Sequence, residues 1–150
     1  MRAVLQRVTS ASVTTLGETI ATIGPGLLVL VANEESDASE DVEWLAGKIA
    51  NVAVFADDTG AWRRSVAEIG GEILLVSQFT LFASTKKGRR PSWHRAAKPE
   101  VARPLYDSLA RGLGGLLGRP IRTGRFGAPM KVTLINDGPV TLIIDSKARE

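Results

Sequence analysis

The sequence predicts a single α/β domain over residues 1–150, built of mixed β-sheet layers with two main helices on one side. Three observations carry this. Segments of strand and helix character alternate in the order β-β-β-α-β-β-α-β-β. Two segments, "GLLVLVA" (26–32) and the apolar part of "EILLV" (72–76), are runs of the kind found in strands buried on both faces. Two further segments place apolar residues at helical spacing, and no repeat, low-complexity tract or linker interrupts the chain.

"AVLQRVTSASVTT" (3–15) and "ETIATIG" (18–24) are β-rich and separated by Leu16-Gly17, which predicts an opening hairpin. Gly24-Pro25-Gly26 then precedes the central strand. Ser36 or Asp37 is placed to cap a helix running to about Ala50, with Val42, Leu45, Ala46 and Ile49 on one face and acids in its first turn. "VAVFAD" (52–57) reads as a strand, and 61–71 as loop with some strand. "EILLVSQFTLFA" (72–83) begins as a second buried strand and turns polar at Ser77-Gln78. Pro99 opens a second helix over about 99–117. Val101, Leu105, Leu109, Leu113 and Leu117 form its stripe, while Pro104 argues for a later start.

Residues 121–130 read as a loop. "KVTLIN" (131–136) and "VTLIIDS" (140–146) read as two arms of a hairpin turning at Asp137-Gly138. Pro139 removes a backbone donor where the second arm should begin to pair, so the tip is expected to have a role of its own.

A chain of 150 residues is long enough to bury a core without staples. It has no cysteine, which excludes disulfides, thiolate catalysis and cysteine-held zinc. The start shows no apolar leader, and the longest apolar run is too short to span a bilayer, so a cytoplasmic protein without a membrane partner is expected. The net charge is +3, but its distribution is polarised. Residues 84–98 hold Lys86, Lys87, Arg89, Arg90, Arg95 and Lys98 with no acid among them; residues 119–125 add three arginines, and residues 34–43 are acidic. One phosphate-facing side follows from that pattern.

The chemistry on offer is sparse. His94 is the only histidine and sits in the basic stretch, where a solvated or phosphate-contacting role fits better than that of a catalytic base. Transition metals find poor ligands, and no phosphate-cradling glycine motif follows a strand. An enzyme with this inventory suits an already activated substrate, for which positioning and backbone donors are enough. Ser77, Gln78 and Thr80 lie at the end of a buried strand, where α/β sheets place ligands.

In order along the chain, "MRAVLQRV", "SQFTLFA" (77–83), "KGRRPSW" (87–93), "TGRFGAPMKV" (123–132) and "NDGPVT" (136–141) closely resemble the D-aminoacyl-tRNA deacylases, from Met1 to about Asp145. The resemblance implies a homodimer of stacked sheet layers, and no cofactor or metal is expected from the residues present. Its substrate is D-aminoacyl-tRNA, whose ester to the 3′-terminal adenosine it hydrolyses, and it also removes glycine from mischarged tRNA-Ala. It implies that Ser77 and Gln78 hold the terminal ribose or the strand end, and that Phe79 and Thr80 line the pocket and offer backbone N–H groups. Thr80 has been considered a nucleophile in the family; with no base nearby, positioning is the preferred role. Phe126, Gly127 and Ala128 resemble the segment that receives the adenine, with Phe126 either stacking on it or anchoring the loop in the core. Gly138-Pro139 carries a cis peptide in the family and reaches across the dimer to exclude L-amino acids. Lys86, Lys87, Arg89 and Arg90 are candidate contacts to the tRNA backbone. The rivals are a related deacylase that edits L-amino acids, a non-catalytic tRNA-binding module, and a serine or threonine hydrolase of small esters.

Overall fold

Alternating burial begins at the second residue, breaks at mid-strand and resumes to the strand's end. In the computed structural model, which describes residues 1–150, β1 runs from Arg2 to Thr15. β2 (Glu18–Ile23) and β3 (Gly26–Ala32) follow, then α1 (Ser39–Asn51), the short β4 (Phe55–Ala56) and β5 (Trp62–Arg64), and β6 (Glu72–Ser77). A 3-10 turn (Phe79–Phe82), α2 (Pro99–Leu117), β7 (Arg122–Thr123) and β8 (Lys131–Asp145) complete the chain. No helix is long and apolar enough to cross a membrane.

β1 organises the main sheet. β8 pairs antiparallel along one edge of it, from Arg2 opposite Asp145 to Thr14 opposite Lys131. The other edge is shared: β3 takes Arg2–Val8 and β2 takes Ala11–Thr15. Leu16 and Gly17 both have positive φ (51° and 76°), as a tight hairpin between right-twisted strands requires. An irregularity between Val8 and Ser10 matters more. Ala3 and Leu5 face the helices, and Val8 faces away from them. Strict alternation would send Ala11 and Val13 back to the helix side. The extra residue flips the parity, so both join Val8 on the opposite face.

β3 and β6 are parallel and almost wholly buried, as the two apolar runs predict. Gly26 sits so close to β6 that a Cβ there would lie 1.9 Å from the Glu72 carbonyl oxygen, which is why glycine opens the strand. β7 adds a short parallel pairing to β6, so the loop expected over 121–130 contains a strand. β2 curls back toward β6 and β7, where the Gly24 N–H donates to Glu72 Oε1 (3.0 Å). The sheet is thus nearly closed. One core lies between the sheet and the helices, around Leu5, Val29, Leu45, Ile49, Leu75 and Leu109. A second fills the curl itself, around Val8, Val13, Ile23, Leu28 and Leu74. Both helices pack on the same side, as expected, and α2 spans Pro99–Leu117 with Pro104 tolerated on its exposed face.

Several expectations are corrected. The 52–57 strand shrinks to Phe55–Ala56, because its only partner is the three-residue β5. Strand 72–83 stops at Ser77, where Gln78 leaves the sheet for the 3-10 turn. The cap of α1 is Ala38, whose N–H donates to Asp41 Oδ2 (2.9 Å); Asp37 turns instead to the Met1 ammonium (2.7 Å) and the Glu34 N–H (2.7 Å). The final hairpin does not form. Both of its arms run antiparallel to β1 as parts of one 15-residue strand, and only residues 137–140 leave the ladder. β1 has a long free edge to offer, and pairing along it outcompetes a turn whose second arm starts with proline.

The chain ends are tied by a buried polar cluster. Ser146 Oγ accepts from the Met1 ammonium (2.8 Å) and donates to Asp41 Oδ1 (2.6 Å), and Lys147 Nζ reaches Asp41 Oδ2 (2.9 Å). Burial pushes the Asp41 carboxyl up, but the bonds from Ser146, Ala38 and Lys147 outweigh it and bring the pKa down to about 2. A carboxyl whose folded pKa lies below its unfolded one stabilises fully above the unfolded value, and loses this as pH falls through the folded value. Asp41→Asn is therefore expected to lower stability by about 2 kcal/mol at neutral pH. The deficit should shrink toward zero between pH 4 and pH 2, as read by urea unfolding across that range.

Candidate active site

β3 and β6 run in parallel and end side by side, Val31 opposite Ser77. The Gln78 N–H donates to the Val31 carbonyl (2.7 Å), closing the ladder one step beyond the strand. Past these ends lies a cavity of about 640 Å³. Ser77, Gln78 and Phe79 line it from β6 and the 3-10 turn, and Phe126, Gly127 and Ala128 line it from the loop before β8. Two segments separated by nearly fifty residues thus share one cavity.

Phe82 anchors the 3-10 turn. Its ring is buried, with the Arg2 and Arg95 guanidinium groups 4.7 and 5.2 Å from its centre. With Phe82 pointing in, Phe79 is left half exposed at the cavity rim, where Trp93 meets it edge-on (5.6 Å, 89°). Phe79 and Thr80 open this turn, where an N–H has no carbonyl partner within the turn itself. The Thr80 hydroxyl accepts a hydrogen bond from Gln78 Nε2. Thr80 is not among the residues lining the cavity. His94 is hydrogen-bonded within its own loop, to Ser92 Oγ (3.3 Å). No three histidine, aspartate or glutamate side chains are grouped to hold a metal ion.

Phe126 faces both the core and the cavity. It packs on Tyr106 (5.6 Å, 56°) against the helix-side core and also lines the cavity. Tyr106 is itself fixed by donating to the Leu75 carbonyl (2.8 Å), and burial raises its phenol well above the ordinary range. Lys86, Lys87, Arg89 and Arg90 stand in an exposed loop pinched at its base by Ser84 and Ser92, whose backbones bond reciprocally (2.6 and 2.9 Å). The loop leads straight into Trp93, so its charges flank the cavity without entering it.

Gly138 and Pro139 are elsewhere. Their peptide bond is cis, both residues are exposed, and neither lines the cavity of their own chain. The 137–140 excursion is held by two groups. Asn136 Nδ2 bridges its base, donating to the Arg7 and Val140 carbonyls (2.9 and 3.1 Å). Arg7 donates from Nε to the Asp137 carbonyl (3.0 Å) and from Nη1 to the Val54 carbonyl (2.5 Å), with its guanidinium 5.0 Å from the centre of the Trp62 ring. Val140 plugs into the helix-side core behind it.

A model of the family described as D-Tyr-tRNA(Tyr) deacylase matches residues 4–145. The chain belongs to this deacylase family. Its members are hydrolases. The proteins named D-aminoacyl-tRNA deacylase from Parabacteroides distasonis and Dechloromonas aromatica are 57% and 55% identical over the whole of both chains. A solved structure of c-Myc DNA Unwinding Element Binding Protein superposes on 99% of this chain and 100% of its own, with a TM-score of 0.93 and 43% identity. Another, of a probable eukaryotic D-amino acid tRNA deacylase, covers 95% and 97% with a TM-score of 0.85 at 18% identity, a likeness of fold.

Two residues of this candidate site escaped the sequence reading. Asn33 lines the cavity at the end of β3, and Arg7 braces the 137–140 segment. Asn33 carried the same signal that picked out Ser77, a polar residue closing an apolar strand. Arg7 carried none, since an arginine within an alternating strand reads as a solvated face. Truncating Arg7 leaves the Val54 and Asp137 carbonyls without their donor. Arg7→Ala is expected to cost about 1–3 kcal/mol. Amide exchange should quicken at Gly138 and Val140 while β3 stays protected, as read by hydrogen–deuterium exchange.

Proposed function

We propose that this chain hydrolyses the ester joining a D-amino acid to the 3′-terminal adenosine of tRNA. The observation that carries this is the single cavity at the ends of β3 and β6, which gathers the 77–79 and 126–128 segments around a space large enough for an aminoacylated nucleoside. Water attacks the ester carbonyl carbon, and the neighbouring ribose 2′-hydroxyl assists it. The N–H group of Phe79 takes up the charge on the former carbonyl oxygen, and the ribose 3′-oxygen leaves with a proton. Ser77 and Gln78 hold the ribose side, and Phe126 to Ala128 receive the base. No base is bonded to the Thr80 hydroxyl, so Thr80 positions the turn and does not attack.

Chiral selection falls to Gly138-Pro139 of a second copy. Three features support this: the pair is exposed, it lies outside its own cavity, and β8 has no strand on its outer edge, where Ile135 and Ile143 are exposed. A backbone tip entering the neighbouring cavity rejects an L side chain by shape while accepting many D side chains. Glycine has no side chain to reject, so glycyl-tRNA mischarged on tRNA-Ala is a further substrate.

The deciding experiment follows deacylation of D-Tyr-tRNA and L-Tyr-tRNA at equal enzyme concentration. Rapid loss of the D ester with the L ester intact is the expected result, with Thr80→Ala keeping most of the turnover. Equal attack on both would make the chain a general esterase, and attack on neither would leave a tRNA-binding module. Abolished turnover in Thr80→Ala with tRNA binding preserved would make Thr80 the nucleophile.

The basic loop supplies the grip on tRNA. Replacing Lys86, Lys87, Arg89 and Arg90 with alanine is expected to weaken binding. The slope of log affinity against log salt should become shallower by about one for each phosphate that is no longer neutralised. Filter binding across a salt series measures both.

A further inference from the structure

Trp62 stands on β5 opposite Ala56 of β4, in a two-stranded ribbon that shares no ladder with the main sheet. The ribbon is seated at both ends. Val54, Phe55 and Val66 at its base are buried in the helix-side core. At its tip Asp57 Oδ1 accepts from the Thr59 N–H (2.8 Å), the Thr59 hydroxyl (2.6 Å) and the Ala61 N–H (3.1 Å). Neither anchor involves Trp62, whose ring is 52% exposed. What the ring covers is Arg7, whose guanidinium lies over it, 5.0 Å from its centre. The Arg7 side chain is left only 11% exposed. Its donors are engaged with the Val54 carbonyl and with Asp137, at the carbonyl (3.0 Å) and at Oδ2 (3.1 Å). The ribbon thus holds the guanidinium through Val54 and through the Trp62 face, and the guanidinium holds the start of the 137–140 segment.

We infer that Trp62 is a positioning residue for chiral selection: by covering the Arg7 guanidinium it shields that group from water and stiffens the segment that carries Gly138-Pro139. The inference rests on the proposed function and deepens it. Trp62 is absent from the cavity lining of its own chain, and its contact is with Arg7. A cation on an aromatic face gains most where water is kept away. Without the ring, water competes with the Val54 and Asp137 carbonyls for the guanidinium. Selectivity is bounded by the cost of pushing the segment aside to admit an L side chain. A D substrate needs no such displacement. Loosening the brace therefore speeds attack on the L ester and leaves the D ester alone.

The test compares wild type and Trp62→Ala on D-Tyr-tRNA and L-Tyr-tRNA. The variant is expected to hydrolyse the L ester about fivefold faster than wild type. Its kcat and KM for the D ester should stay within about twofold of wild type. A merely structural role would slow both esters together. Trp62→Phe keeps a ring face and should restore wild-type selectivity. Trp62→Leu keeps bulk without that face and should not; it stands in for the alanine variant if that one fails to fold. In an Arg7→Ala background, Trp62→Ala should change selectivity no further, because it acts through Arg7. Amide exchange at Gly138 and Val140 should quicken in Trp62→Ala and not in Trp62→Phe. A wild type with no preference for the D ester overturns the proposed chiral function, and this inference with it. A selective wild type with an equally selective Trp62→Ala, or a further loss of selectivity in the Arg7→Ala background, overturns the inference alone.

Discussion

β1 is hydrogen-bonded along both edges, and every other part of the sheet takes its position from it. One edge is given wholly to β8, and the other is divided between β3 and β2. The irregularity between Val8 and Ser10 lets one strand serve two cores, by moving its inward set from the helix side to the interior of the curl. Without that step the second half of β1 would turn Ser10, Ser12 and Thr14 into the curl and send Ala11 and Val13 to the helix side. The excursion of β8 at 137–140 lies opposite the same stretch of β1, between the partners of Gln6 and Val8. The two strands share an irregular stretch, and the longer excursion projects from it.

The cavity follows from the parallel pair that β1 places at the centre. β3 and β6 are apolar on both faces until they end, and there the chain turns polar with Asn33, Ser77 and Gln78. Backbone groups past a parallel ladder have no partner strand, and the fold answers with local devices. Gln78 returns its N–H to Val31, Ala97 returns its N–H to Asn33, and Phe82 anchors a 3-10 turn. Tyr106 ties α2 to Leu75 and in turn supports Phe126. The site is thus built of strand ends and short turns backed by a packed core, which holds backbone donors more firmly than a free loop would.

What the sequence disclosed follows from which signals are local. Continuous apolar runs, helical stripes and the Leu16-Gly17 turn depend on neighbours in the chain, and the corresponding elements appear where periodicity puts them. The 77–79 and 126–128 segments were legible by resemblance, and they meet in space. The failures are non-local. Asp137-Gly138 has the chemistry of a hairpin turn, but a tightly turned 131–145 would abandon the long edge that β1 offers. Asp37 looks like a cap until the Met1 ammonium competes for it. Val52 to Val54 have strand propensity and no strand to pair with. In each case a distant partner decided between two locally acceptable states.

A site poor in acids and bases places its demands on geometry. In the proposed reaction the ester of the aminoacyl-tRNA is already activated and the work is left to aligned backbone donors and a seated ribose, neither of which distinguishes one α-carbon configuration from its mirror image. Discrimination must come from a surface that meets the substrate at Cα, where a side chain of either hand would project. A flexible side chain would yield to an L residue at the expense of only a rotamer change. A backbone segment tied at both ends yields far less. Asn136 ties the base of 137–140, Arg7 holds the Asp137 carbonyl, and Val140 is buried behind it. A Cβ on Gly138 would lie 2.4 Å from Asn136 Oδ1, whose own amide is fixed to two carbonyls, so the segment admits no side chain at that position. The stiffness and bareness that make the segment an unpromising hairpin are the properties the proposed stereochemical filter requires.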